Sequence, residues 1–119
     1  MHASHPARGG RASVGIHDGH REKMRQRFMT GGLDAFADHE ILELLLYYAI
    51  PRRDTNPIAH ALMERYGSLP AVLAAPMEDL KRTEGIGESA AVLLHLVPQV
   101  CRRARLAQVG EDQVLNSSE

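Results

Sequence analysis

Apolar residues recur through the middle of the chain at helical spacing, and punctuation residues divide them into six segments. The first runs from about Asp18 to Met29. Asp18 is its cap, Met24 and Phe28 lie one turn apart, and Gly31-Gly32 forms the stop. The second starts after Asp38 and is apolar nearly all round from Ile41 to Tyr48, the mark of a central helix. Pro51 ends it near Ala49. The third has Asn56 as N-cap, Pro57 at the first helical position, a buried stripe of Ile58, Leu62 and Met63, and Gly67 as stop. A short fourth helix covers Leu69 to Ala74 with Ser68 as cap. A fifth covers Pro76 to Arg82, with Glu78 and Asp79 in its first turn.

The sixth helix opens at Glu88 and carries Ala90, Ala91, Leu93, Leu94 and Val97. Pro98 removes a backbone bond, which predicts a kink or a division before the helix resumes to about Ala107. No stretch alternates with period two for long enough to make a strand. The expected fold is therefore all-α, a compact bundle of five to six short helices. The second and third helices could form a degenerate partner of the fifth and sixth, with the fourth as connector, giving a pseudo-symmetric pair of hairpins.

Composition agrees with this. Hydrophobic residues make up 44% of the 119, but aromatics only 4%, and Trp is absent, so the core must be built from Leu, Ile, Val, Ala and Met. No apolar run is long enough to span a membrane. One cysteine, Cys101, excludes an internal disulfide and a cysteine-rich zinc site, and is expected to be an inert packing residue. The ends differ from the middle. Residues 1–17 are rich in Gly and His and read as a disordered arm, 18–107 as the helical domain, and 108–119 as a flexible tail or linker.

The net charge of −1 excludes a polybasic nucleic-acid binder, so any DNA contact must be local. Between Arg8 and Arg27 there are six basic residues against two acidic ones. This segment is either a solvated helix face or a surface for a polyanion. Its basic residues do not form one stripe, since Arg21 and Arg25 share a side while Lys23 and Arg27 lie roughly opposite.

The segment that carries chemistry is Leu80-Lys81-Arg82-Thr83-Glu84-Gly85-Ile86-Gly87-Glu88-Ser89-Ala90-Ala91. A short helix, a Gly-Ile-Gly turn and an apolar helix form a helix-hairpin-helix pattern. The glycines permit backbone conformations and approaches that a β-carbon forbids. The amides after Gly85 and Gly87 are unpaired donors of a helix start, with partial positive charge suited to a phosphate oxygen. Ile86 would anchor the turn in the core, and small Ala90 would let the helices approach. The plainer alternative is an αα-hairpin whose glycines serve geometry alone.

The remaining candidates are weaker. His17 and His20 flank Asp18 but are not expected to bind metal. His39 and His60 read as surface residues, and His95 as a hydrogen-bonded residue of the core or its boundary. Arg52, Arg53 and Asp54 either contact phosphate or a partner, or make a turn in which Asp54 and Asn56 satisfy backbone donors and an arginine pairs with an acid. At least one of Tyr47 and Tyr48 must be core. No nucleophile, base and acid can be assembled into a catalytic set, so no enzymatic activity, metal or cofactor is expected.

The order and spacing of several motifs resemble the N-terminal domain of bacterial RadC proteins. These are His20-Arg21-Glu22-Lys23-Met24-Arg25-Gln26-Arg27-Phe28, Asp38 to Leu46, Ala49-Ile50-Pro51-Arg52-Arg53-Asp54, Asn56-Pro57-Ile58-Ala59, Tyr66-Gly67-Ser68 and Gly85-Ile86-Gly87-Glu88. The resemblance implies a helix-hairpin-helix domain, a link to DNA repair and a cytoplasmic bacterial protein. RadC proteins usually continue into a JAB/MPN metalloprotease-like domain with a His-x-His pair. This sequence has no His-x-His, so that half is expected to be absent. Many such hairpins carry a proline before the first glycine and a lysine or arginine early in the second helix, where this chain has Glu84 and Ser89-Ala90. Glu84 and Glu88 oppose a phosphate by an amount on the order of 1 kcal/mol, comparable to what a helix end supplies.

The expectation is thus weak, sequence-independent DNA binding through Gly85, Ile86, Gly87 and Ser89, with Lys81, Arg82, Arg21, Lys23, Arg25 and Arg27 adding charge. The alternative partner is a protein, such as a JAB/MPN domain docked on the apolar helices.

Overall fold

A computed structural model describes residues 19–117, with side chains as far as Gly110. The expected arm (1–17), the Asp18 cap and His17 lie outside the described residues. Those described are all-helical, with no strand. The helices are α1 (19–31), α2 (Asp38–Tyr47), α3 (Asn56–Tyr66), α4 (Leu69–Ala74), α5 (Met77–Leu80) and α6 (Glu88–Ser117).

Local chemistry explains most boundaries. Gly32 takes φ +69° after α1, and its N–H bonds the Phe28 carbonyl at 2.8 Å. Gly67 takes φ +90° after α3, and its N–H bonds the Met63 carbonyl at 2.7 Å. Ser68 caps α4 by accepting from the Ala71 N–H at 3.2 Å.

Two expected caps shift by one residue. Ala37, which has no side-chain acceptor, is the N-cap of α2, and the Glu40 carboxylate reaches back to its N–H at 3.0 Å. Thr55, not Asn56, precedes α3. Asn56 is drawn inward to Glu43, and the backbone donor there is met by Asp54, whose Oδ1 accepts the Asn56 N–H at 3.1 Å. The expected α5 is also shortened. Beyond Leu80 the amides of Arg82 and Thr83 bond three residues back instead of four, so the chain leaves the helix through tight turns.

Pro98 does not divide α6, which runs 30 residues, about 45 Å at 1.5 Å per residue. The loss is one backbone bond, and the helix continues on both sides of it. Its first two turns belong to the core. Every residue from Gln99 to Gly110 is exposed, so Cys101 is exposed rather than packed.

The main core joins Leu42 and Leu46 of α2, Ile58 and Leu62 of α3, Val72 of α4, Leu80 of α5, Ile86 of the turn, and Ala90 and Leu94 of α6. Helix α2 packs against α3, α4 and α6, the central place its apolar periphery predicts. A second cluster of Met24, Phe36 and Tyr47 fixes α1 to α2. Phe28, one turn beyond Met24, stays outside it and is 45% exposed.

Candidate nucleic-acid interface

The Gly-Ile-Gly turn is built from three different constraints. Gly85 takes φ +94°, and a β-carbon there would stand 2.6 Å from Ile58 Cδ1 and 3.3 Å from Arg53 Nη1. Only glycine meets both conditions without strain. Ile86 is buried in the core and anchors the turn, as expected. Gly87 has open space around it and accepts the Ala91 N–H at 3.0 Å, so it acts as the N-cap of α6.

The amides divide into two sets. The Ile86 N–H bonds the Thr83 carbonyl at 3.0 Å, which removes it from the expected phosphate contacts. Among the described residues, the N–H groups of Gly87, Glu88 and Ser89 make no hydrogen bond, and all three residues are exposed. These are the unpaired donors of a long helix, carrying its positive end.

The base of the hairpin is held by side chains. Arg65, near the end of α3, donates to the Asp79 carbonyl at 3.1 Å, to Asp79 Oδ1 at 2.9 Å and to Thr83 Oγ1 at 3.0 Å. The Tyr66 hydroxyl donates to the other Asp79 oxygen. Burial first, and this bond second, push the Tyr66 phenol above its ordinary value.

The expected basic residues do not all gather here. Arg21 is buried, and its guanidinium donates to the carbonyls of Tyr47, Ile50 and Arg53 at 3.3, 2.7 and 2.6 Å while lying 4.6 Å from the Tyr47 ring centre. It is a clamp on the α2–α3 loop, not a phosphate contact, because its donors are spent on the backbone. Arg25 pairs with Glu22 at 3.0 Å, one turn back on α1. Arg27 lies over Phe36 and pairs with Glu40. That pair, then the Ala37 N–H, holds the Glu40 carboxyl below its usual range. Lys23 is exposed. At the hairpin, Lys81 pairs with the exposed Glu78 at 3.2 Å, and Arg82 is exposed without a carboxylate partner among the described residues.

Arg53 takes the position that the sequence left open. It is exposed, has no carboxylate partner among the described residues, and brings Nη1 beside Gly85. The loop carbonyl of the same residue is held by Arg21. A residue far away in sequence thus adds a cation to a turn whose own flanks, Glu84 and Glu88, are acidic.

Sequence reasoning missed a buried polar knot beside this loop. Glu43 is 2% exposed. Its carboxylate lies 3.0 Å from His20 Nε2 and accepts from the Tyr47 hydroxyl at 3.3 Å and Asn56 Nδ2 at 3.4 Å. Thr55 adds a hydroxyl bond to the Glu43 carbonyl. Burial, then Glu43, raises the Tyr47 phenol well above its ordinary value. The only prior signal was an acidic residue inside an otherwise apolar helix. Three histidine placements are also new. His20 belongs to this knot, His39 and His60 stack with ring centres 4.3 Å apart, and His95 keeps a buried Nδ1 without a partner instead of the expected hydrogen bond. No cluster of three or more metal-ligating side chains occurs among the described residues, and no described helix is long and apolar enough to cross a membrane.

These features define a class: a small all-helical domain in which a short helix, a glycine turn and a long helix present free amides, with an arginine from a second loop beside the first glycine of the turn. The family model described as UPF0758 N-terminal matches residues 18–92. A UPF0758 protein of Ruegeria pomeroyi is 41% identical over 98 residues, covering 82% of this chain and 44% of the relative. The chain belongs to the UPF0758 family, which is the RadC family. It spans less than half the length of that curated relative. No solved structure matches it.

Proposed function

We propose that this domain is a non-catalytic helix-hairpin-helix module that holds the phosphate backbone of DNA without reading sequence, in the service of DNA repair in the bacterial cytoplasm. The observation that carries the proposal is the juxtaposition at the hairpin. The free amides of Gly87, Glu88 and Ser89 open to solvent beside a turn that Arg53 flanks. Arg82 adds positive charge on the approach from α5, where Lys81 is paired with Glu78. Donors of this kind fix a phosphate and carry no base information. The opposing charges of Glu84 and Glu88 keep the affinity low, roughly 10⁻⁴ to 10⁻⁶ M at physiological salt.

Fluorescence anisotropy with a labelled duplex at several salt concentrations tests this. Arg53→Ala and Arg82→Ala should each weaken binding uniformly across sequences and reduce the salt slope by about one. A salt-independent affinity, or binding untouched by both substitutions, contradicts the proposal. A second reading, a protein-docking module, is favoured by a separate observation, the apolar groove between α1, α2 and α4.

A further inference from the structure

The distal half of α6 carries charge of one sign. From Ser89 to Gly110 the chain runs 22 residues without a carboxylate, although it carries −1 as a whole. Arg102, Arg103 and Arg105 fall within four consecutive positions of that stretch. Each is exposed, and none pairs with a carboxylate among the described residues. The usual partner of a helical arginine is an acid three or four residues away. None stands within four residues of any of the three. They differ in this from Arg21, spent on carbonyls, and from Arg25, Arg27 and Arg65, each paired with an acid.

Their arrangement suits a polyanion. At helical spacing Arg102 lies between the other two, about 60° from Arg105 and about 100° from Arg103, so the three fan over nearly half the circumference. Each guanidinium is a planar fork that fits phosphate oxygens. The same helix begins at the hairpin. The arginines stand about 20–27 Å along its axis from the amides of Gly87 to Ser89 at 1.5 Å per residue. That is the length of about six to eight base pairs at 3.4 Å each. A duplex of two turns is longer than this span.

We propose that the arginine fan of distal α6 is a second contact for the phosphate backbone of the duplex that the hairpin holds. The inference rests on the DNA-binding reading of the hairpin and adds a surface to it. The hairpin offers neutral amides and few free cations, with Glu84 and Glu88 opposed. The fan offers three cations and no acid nearby, so the larger share of the salt dependence belongs to it.

Fluorescence anisotropy with a labelled duplex of about 20 base pairs, at several salt concentrations, tests this. Arg102→Gln, Arg103→Gln and Arg105→Gln together should lower the affinity at least tenfold at low salt and reduce the salt slope by about two to three. Glutamine suits a helix and the three sites are exposed, so the urea midpoint should not move. Lys23→Gln with Arg25→Gln removes two charges from α1 and should leave the slope almost unchanged. Iron–EDTA tethered to the exposed Cys101, beside the fan, should cleave the bound duplex. An affinity indifferent to the arginine triple, while Arg53→Ala and Arg82→Ala still weaken binding, overturns the inference and leaves the hairpin reading standing. A loss with the triple and none with Arg53→Ala and Arg82→Ala overturns the hairpin reading instead. A loss matched, charge for charge, by the α1 pair overturns the inference. So does a triple that loses binding to phosphatidylglycerol vesicles while its DNA affinity is unchanged, which would assign the fan to a membrane surface.

Discussion

Replacing Gly85 with alanine is the most searching perturbation of the hairpin. At φ +94° a side chain costs roughly 1–2 kcal/mol. The new methyl would also stand 2.6 Å from Cδ1 and 2.9 Å from Cγ1 of the buried Ile58, and forcing such an overlap in a packed core costs roughly 1–3 kcal/mol. Reduced freedom of the unfolded chain returns about 0.4–1 kcal/mol. The net expectation is a loss of about 2–4 kcal/mol, a fall of roughly 10–25 °C in Tm for a domain of this size. Urea and thermal unfolding followed by circular dichroism measure it. Ile58→Val, which removes Cδ1, separates the two causes. In that background Gly85→Ala should cost less than in the native one by about 1 kcal/mol, a coupling that distant sites do not display. A Gly85→Ala variant within 0.5 kcal/mol of native, or strict additivity with Ile58→Val, would refute the argument that this glycine is required by both conformation and contact.

Other substitutions follow from the same structure. Arg21→Lys should destabilise the domain by about 2–3 kcal/mol, since one ammonium cannot span three carbonyls, and should lower DNA affinity by releasing the loop that carries Arg53; equal stability by urea titration contradicts the clamp. Glu43→Leu should destabilise more than Glu22→Ala, because only the former leaves buried donors of Tyr47 and Asn56 unpaired; comparable midpoints in urea would oppose this. Glu40 is held below its unfolded value, so its contribution is present above pH about 4.5 and is lost as pH falls through the folded value; Glu40→Gln should flatten the stability profile there. Tyr66 is raised, so its contribution is present below pH about 10 and is lost as pH rises through the folded value, and Tyr66→Phe should remove that alkaline loss in a pH-dependent melt.

What the sequence disclosed depended on how local the cause was. Helix ends at Gly32, Gly67 and Ser68 depend on backbone chemistry within four residues, so they were legible. The central role of α2 followed from its apolar periphery. The caps at Ala37 and Thr55 were not legible, because each depends on what a neighbouring side chain prefers: Glu40 turns back, and Asn56 turns in toward Glu43. Arg21 was read as a surface cation because a helix period gives a side and not a partner. Its three carbonyls lie at the end of α2 and in the loop after it, 26 to 32 residues away. The same distance hid Arg53, whose role beside Gly85 exists only after α3 packs on the hairpin.

The central claim is that the amides opening α6 are the phosphate contact, with Arg53 adding charge at the Gly85 turn. Nitrogen-15 chemical-shift mapping of the protein titrated with duplex DNA at low salt tests it most directly. The account predicts the largest shifts at the amides of Gly87, Glu88 and Ser89 and at the Arg53 side chain, all fading as salt is raised. Shifts confined to the arginines of distal α6, or none at the hairpin at saturating DNA, would contradict it.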